Sequence, residues 1–300
     1  MNITVTGATG FVGRHVIAGL LRDGHNISAL ARKRSAAMPA SVRFFAWEAG
    51  ETEPPAESLA GADAVIHLAG EPVGQRWTDE VKTRIRKSRV DGTRHLVNAL
   101  STQSRRPGVL ISASAIGIYG SRGDEILTEG SAPADDFLAR ITVDWENAAR
   151  LAEPLGIRVV CPRFSMILGD GGALAKMLSP FRMGAGGRLG SGKQWTSWVH
   201  IDDIVSLILF ALADDELRGP VNATAPNPVT NAEFTRELAA ALHRPAIFPV
   251  PKLALKVMFG EMAEVVLASQ RVIPEVAQKA RFQFQYPQLG EALRRLFQEG

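Results

Sequence analysis

Three glycines, Gly7, Gly10 and Gly13, lie within Thr6-Gly7-Ala8-Thr9-Gly10-Phe11-Val12-Gly13, and a run of cations follows at Arg32-Lys33-Arg34. Their types and spacing point to phosphate binding. Gly7 permits a tight turn, Gly10 lets backbone approach a phosphate with no Cβ in the way, and Gly13 lets a following helix pack closely on a sheet. The first N–H groups of that helix, at Phe11, Val12 and Gly13, would face the anion. Thr9 belongs to the same turn. In a dinucleotide site a carboxylate at the end of the second strand binds the ribose 2′-OH, whereas an Arg there receives a 2′-phosphate. The run Ala31-Arg32-Lys33-Arg34 holds no acid. It therefore points to NADP(H) over NAD(H), with Arg32 as main ligand and Lys33 as helper; a solvated basic loop is the plain alternative.

Such residues work only if strands and helices place them at one sheet edge. Asn2-Ile3-Thr4-Val5 is apolar and β-branched, as a strand buried on both faces should be. Phe11, Val12, Val16, Ile17, Leu20 and Leu21 recur at helical spacing up to Gly24. A second strand, Asn26 to Leu30, leads into the cations. Further strands are expected at Val42–Ala46, Ala64–Leu68, Val109–Ile111, Arg158–Cys161 and Pro220–Ala223. Helices are expected from about Thr78 to Leu100 and from Asp136 to Leu155. The alternation predicts a doubly wound parallel sheet, an α/β Rossmann fold. Leu68-Ala69-Gly70 ends the fourth strand, where small residues let a coenzyme pass over the sheet.

Eight glycines crowd positions 169 to 192, predicting a flexible region on the substrate side. The helix from Ile204 is expected to be capped by Asp202 or Asp203, and Thr230-Asn231-Ala232-Glu233 reads as a capping box. The domain reading is a dinucleotide-binding unit over 1–225 and a smaller, mostly helical C-terminal region over 226–300, with a distinct tail at 248–300.

The chain has 300 residues, 46% apolar and 22% charged, with a net charge of +3. That composition is globular, and the charge is too small to argue for nucleic acid. The basic block Lys82, Arg84, Arg86, Lys87, Arg89 and Arg94 reads as a solvated helix face with one or two members turned to coenzyme phosphates. No apolar run approaches the ~18 residues that span a bilayer. A chain that enters its first strand by residue 2 leaves no room for a secretory signal, and one cysteine, Cys161, suits a reducing, cytoplasmic setting. No Cys/His cluster has metal-ligand spacing, so no metal is expected. The expected partner is a small-molecule substrate, with the protein a monomer or homodimer.

Together these motifs resemble the extended, epimerase-like branch of the short-chain dehydrogenase/reductase superfamily. The carriers are the glycine turn, His67-Leu68-Ala69-Gly70, Ser112-Ala113-Ser114 followed by Ile118-Tyr119-Gly120, Pro162-Arg163, and Trp198-Val199-His200-Ile201-Asp202-Asp203. Ser88-Arg89, Phe137-Leu138-Ala139, Trp145-Glu146, Gln270-Arg271-Val272-Ile273-Pro274 and Phe282-x-Phe284-x-Tyr286-Pro287 resemble the "epimerase family protein" group within it. The resemblance implies coenzyme contacts from Arg89, as a pyrophosphate ligand, and from Arg163.

It also implies a Tyr-x-x-x-Lys pair for proton transfer during hydride chemistry, and this chain lacks one. Its two tyrosines, Tyr119 and Tyr286, are followed four places on by Gly123 and Gly290. Aligning Glu146 with the acid that often follows the pair puts Leu138 and Thr142 in the two positions. The remaining candidates are Ser114, at the substrate-facing strand end, and Tyr119. Ser112 is a weaker alternative, and His200 with Asp202 an unlikelier acid–base pair. An NADP(H)-dependent oxidoreductase or epimerase with a nonstandard proton donor, a coenzyme-binding sensor without turnover, and a nucleic-acid-associated protein are the competing readings, the last the weakest.

Overall fold

The computed structural model describes residues 1–298. Its centre is a parallel sheet of β1 (Asn2–Thr6), β2 (Asn26–Ala31), β3 (Arg43–Ala46), β4 (Ala64–His67), β5 (Val109–Ser112), β6 (Arg158–Phe164) and β7 (Gly219–Ala223). The order across it is β7-β6-β5-β4-β1-β2-β3, with Ser114–Ala115 pairing separately alongside β6. The chain reverses its direction of winding between β1 and β4, and open sheets of this kind bind ligands at the carboxyl ends of the strands flanking that point.

The strands lack polar alternation because both faces are covered. Ile3, Val5, Ile66 and Ile111 pack into one cluster with α1 (Phe11–Arg22) and a later apolar helix. Leu30, Val65, Leu110 and Val159 form the opposite cluster with Leu96, Val97 and Ala149. A third cluster, including Leu174, Phe181, Trp198, Phe234, Leu238 and Leu293, lies beyond the sheet edge.

Between β4 and β5 the expected single helix is three pieces. α2 (Asp79–Arg86) and α3 (Gly92–Ser101) flank a π-helical turn over Lys87–Asp91. The turn shows in the spacing of the buried positions as a five-residue step from Ile85 to Val90 among steps of three and four. α4 (Phe137–Arg150) stops five residues earlier than expected, and a short 3₁₀ turn over Glu153–Leu155, with Pro154 in it, completes the connection.

The glycine-rich segment is tied down at several points. It contains α5 (Gly172–Arg182), and its glycines sit where neighbours come close. A Cβ on Gly169 would lie 2.6 Å from the Phe11 ring, and one on Gly187 only 1.7 Å from the Phe248 carbonyl oxygen. Asp170, between the first two glycines, binds Arg14 at 2.6 Å and His15 at 2.9 Å, fastening this loop to α1.

α6 (Ile201–Ala213) is capped by neither aspartate. His200 is its N-cap, with Nδ1 accepting from the Asp202 N–H at 3.2 Å. Asp203 is buried and instead holds the tail, accepting from the N–H groups of Gln285 at 2.7 Å and Tyr286 at 3.1 Å. The capping box at Thr230 is formed as expected, opening α7 (Asn231–Ala241). Arg271–Val272 pairs with Ile126–Leu127, which places the tail against the segment that follows β5.

Candidate functional site

The site begins at the turn between β1 and α1. Gly7 has φ +64°, a left-handed conformation that only glycine adopts without strain, and a Cβ there would stand 2.6 Å from the Leu68 carbonyl. A Cβ on Gly13 would lie 2.3 Å from the Gly7 oxygen. Gly7 lets the turn touch the end of β4 and Gly13 lets α1 close on the turn, while Thr9 and Gly10 stay exposed and Phe11 and Val12 half-buried. No side chain caps α1, and no acid occupies its first turn. Its first N–H groups and the positive end of its dipole are therefore open to an anion.

Two side chains at the end of β2 are uncommitted. Arg32 and Lys33 are exposed and make no hydrogen bond or ion pair among the described residues. Arg34 turns away, donating to the Pro39 carbonyl at 3.2 Å. The strand end itself, Ala31-Arg32-Lys33-Arg34, carries no carboxylate to bind a diol.

On the other side of the turn, Leu68, Ala69 and Gly70 run over the sheet edge. A Cβ on Gly70 would meet the Arg89 guanidinium at 3.3 Å. Arg89 comes from the π turn, donates to the carbonyls of Glu71 at 2.8 Å and Ile85 at 3.4 Å, and lies over the Trp145 ring at 5.1 Å. Ser88 completes the clamp by accepting the Glu71 N–H at 2.9 Å. Arg89 has no ion-pair partner among the described residues. Burial pulls its pKa down to about 10, against a smaller upward pull from Glu71, so it remains a cation at neutral pH. A desolvated cation without a carboxylate is costly, and a phosphate would complete it.

The rest of the basic block is neutralised within the protein. Lys82 pairs with Glu261, Arg86 with Asp144 at 3.1 Å, Lys87 with Glu51 at 2.9 Å, and Arg94 with Asp91 at 3.9 Å. Arg84 lies 3.6 Å from Glu71.

Both catalytic candidates have internal work. The Ser114 hydroxyl is buried and donates to Glu146 Oε1 at 2.5 Å. The same carboxylate receives Arg163 Nε at 2.7 Å and Nη2 at 2.8 Å. Arg163 Nη1 donates to the Tyr119 hydroxyl at 2.8 Å, and that hydroxyl donates to Asn222 Oδ1 at 2.7 Å. Tyr119 is fully buried, and burial raises its pKa although Arg163 pulls the other way. Burial also opposes the charge on Arg163, but its bonds to Glu146 outweigh that and hold it firmly protonated. In this structure Arg163 is thus engaged by Glu146 and Tyr119, and Tyr119 is a packed core residue. Glu146, which joins strand end to helix here, was visible in the sequence only as an alignment marker.

At the positions aligned with the missing pair, Thr142 donates to the Leu138 carbonyl at 2.7 Å, so neither residue offers a proton. His200 and Asp202 stand 3.4 Å apart, with the His200 ring packed on Tyr286 at 4.1 Å, a capping and core role. Burial pushes the Cys161 thiol far up, as suits an inert core residue. Ser112 Oγ and Trp145 Nε1 are buried without a protein partner.

A glycine turn at the switch point of a doubly wound sheet, an open helix N-terminus and cations at the second strand define a Rossmann-type dinucleotide-binding protein. The chain belongs to the NAD dependent epimerase/dehydratase family, whose model matches residues 3–223; a domain of unknown function (DUF1731) matches residues 250–296. It is 42% identical over 304 residues to the chloroplastic SDR39U1 homolog of Arabidopsis thaliana, an epimerase family protein, covering 99% of this chain and 87% of that one. It is 38% identical over 297 residues to the epimerase family protein YfhF of Bacillus subtilis, covering 99% of this chain and 98% of that one. Its structure superposes on the crystal structure of human epimerase family protein SDR39U1 (isoform2) with NADPH, at a TM-score of 0.91 and 32% identity over the whole of both chains. Among the described residues no helix is long and apolar enough to cross a membrane.

Two buried histidines make stability depend on pH. Burial lowers His67 to about 4, and it lowers His200 to about 4 against an upward pull from Asp202. A histidine that ionises near its ordinary value of 6.5 when unfolded and near 4 when folded contributes fully above 6.5 and less as pH falls toward 4. Urea unfolding should show lower stability at pH 5 than at pH 7, with about 2 kcal/mol of the drop due to His67. His67→Asn should shrink that difference. Equal stability at the two pH values would contradict the buried neutral state.

Proposed function

We propose that the chain binds NADP(H) at the carboxyl edge of its sheet and works as a reductase- or epimerase-type protein on a small substrate. The observation that carries this reading is the pair of uncommitted cations, Arg32 and Lys33, at the end of a strand with no carboxylate, next to an uncapped glycine turn. In this reading Gly7, Thr9, Gly10, Phe11, Val12 and Gly13 cradle the pyrophosphate, Arg89 neutralises it, and Leu68, Ala69 and Gly70 pass beneath the nicotinamide half. Arg32, helped by Lys33, takes the 2′-phosphate. The NADPH in the human relative's crystal structure supports the same choice. NADPH, when bound, supplies a hydride. The protein's part is to hold it and to exclude water, and the tail contributes by bringing Gln270 onto the Ile116 carbonyl at 2.9 Å, beside the Ser114 strand end. We place the protein in a reducing compartment, the cytoplasm.

A second reading, coenzyme binding without turnover, is favoured by one specific observation: Ser114 and Tyr119 both spend their hydroxyl protons inside the protein. Native protein incubated with deuterium-labelled NADPH and a metabolite extract separates the two. Deuterium in a metabolite supports the oxidoreductase; NADPH binding with neither labelled product nor an epimerised metabolite supports the sensor, since an epimerase that returns its hydride leaves no label. The coenzyme itself is tested by affinity. Native protein should bind NADPH more tightly than NADH, and Arg32→Ala should weaken NADPH on the order of tenfold while leaving NADH unchanged. Equal affinities in the native protein would overturn the NADP(H) assignment.

A further inference from the structure

His67 has entered so far only through its effect on stability, yet it lies in the coenzyme edge. It ends β4 directly beside Thr6 of β1 and Ser112 of β5. It is fully buried, as are Thr6 and Thr93. Its hydrogen bonds run in one direction only. Thr6 Oγ1 accepts the N–H groups of Leu68 at 3.1 Å and Ala69 at 3.2 Å, which fills its lone pairs. The Thr6 hydroxyl must then donate to His67 Nδ1, 2.7 Å away. Neutral His67 therefore carries its proton on Nε2 and donates to Thr93 Oγ1 at 3.0 Å. Thr93 in turn donates to the carbonyl of Arg89 at 2.5 Å. The tautomer is assigned by this network, with no free choice at any member.

We infer that His67 is a positioning residue for the coenzyme site, linking the foot of the glycine turn to the backbone of Arg89 through Thr6 and Thr93. The link meets Arg89 within the π turn, where its carbonyl already accepts the Gly92 N–H and takes the Thr93 hydroxyl as a second bond. Widening the helix at Lys87–Asp91 takes Arg89 out of the regular ladder of i to i+4 bonds, and π turns of this kind recur at functional sites. The Thr93 hydroxyl gives the Arg89 carbonyl a fixed partner on the sheet side. The same chain fixes Leu68 and Ala69 from below. The Leu68–Ala69 segment and the Arg89 backbone thus take their register from one imidazole. Its neutrality matters: a proton on Nδ1 would face the Thr6 hydroxyl proton and break the chain at that step.

This inference rests on the coenzyme reading above, and a double-mutant cycle separates the two. NADPH dissociation constants are measured by calorimetry for native protein, Thr93→Val, Arg89→Ala and the double variant, with melting temperatures recorded in parallel. Thr93→Val should weaken NADPH on the order of tenfold in the native background and add nothing once Arg89 is gone, because it acts through Arg89. Thr93→Ser, which keeps the hydroxyl, should retain native affinity. If Thr93→Val does not fold, His67→Gln and His67→Asn replace it: Gln presents a donor near Nε2 toward Thr93, Asn only an acceptor near Nδ1 toward Thr6. Affinity nearer native for Gln than for Asn is expected. Additive losses in the cycle, or Asn equal to or better than Gln, would overturn the positioning role while leaving NADPH binding in place. Native protein that does not bind NADPH would overturn both.

Discussion

The contact on which the site depends is the approach of Gly7 to Leu68 across the switch point. It brings the first turn of the fold against the end of β4 at a distance no side chain tolerates, since a Cβ on Gly7 would stand 2.6 Å from a carbonyl carbon and oxygen. That closeness lets the Thr6 hydroxyl reach two backbone N–H groups of the neighbouring segment, and it opens the α1 N-terminus to the same crevice. Gly13, the π turn and Arg89 are arranged around that contact. A dinucleotide needs a flat, anion-friendly backbone surface flanked by fixed cations, and these constraints together supply one.

Much of this was legible in the chain because its signals are local. Continuous apolar strands, helical spacing after Gly10 and the cation run after Leu30 each occupy a few neighbouring residues. They led to the correct sheet class and family. The features that escaped depend on contacts between distant residues. His67 looked like one more residue of a buried strand, and nothing nearby in sequence says that Thr6 and Thr93 meet its two nitrogens. The π turn alters the spacing of buried positions at a single step, Ile85 to Val90, so the segment read as one helix. Asp203 looked like a cap because it sits in a first turn, but burial and the tail's two N–H groups claim it. Arg163 carried a coenzyme expectation by resemblance, and only the bidentate geometry with Glu146 shows where its charge is spent.

The buried chain from Ser114 through Glu146, Arg163 and Tyr119 to Asn222 bears on what the site can do. It ties the strand end, α4, β6 and β7 into one rigid unit beside the proposed nicotinamide position. A buried ion pair of this kind is a poor source of stability but a good means of fixing geometry. Within that unit the Ser114 and Tyr119 hydroxyl protons are already donated, to Glu146 and Asn222.

The most direct test of the account is a crystal structure of the protein grown with NADPH. The account predicts the pyrophosphate on the open N–H groups at the start of α1 with Arg89 beside it, and the 2′-phosphate on Arg32. A coenzyme bound elsewhere on the surface, or one whose 2′-phosphate points away from Arg32 and Lys33 into solvent, would contradict it.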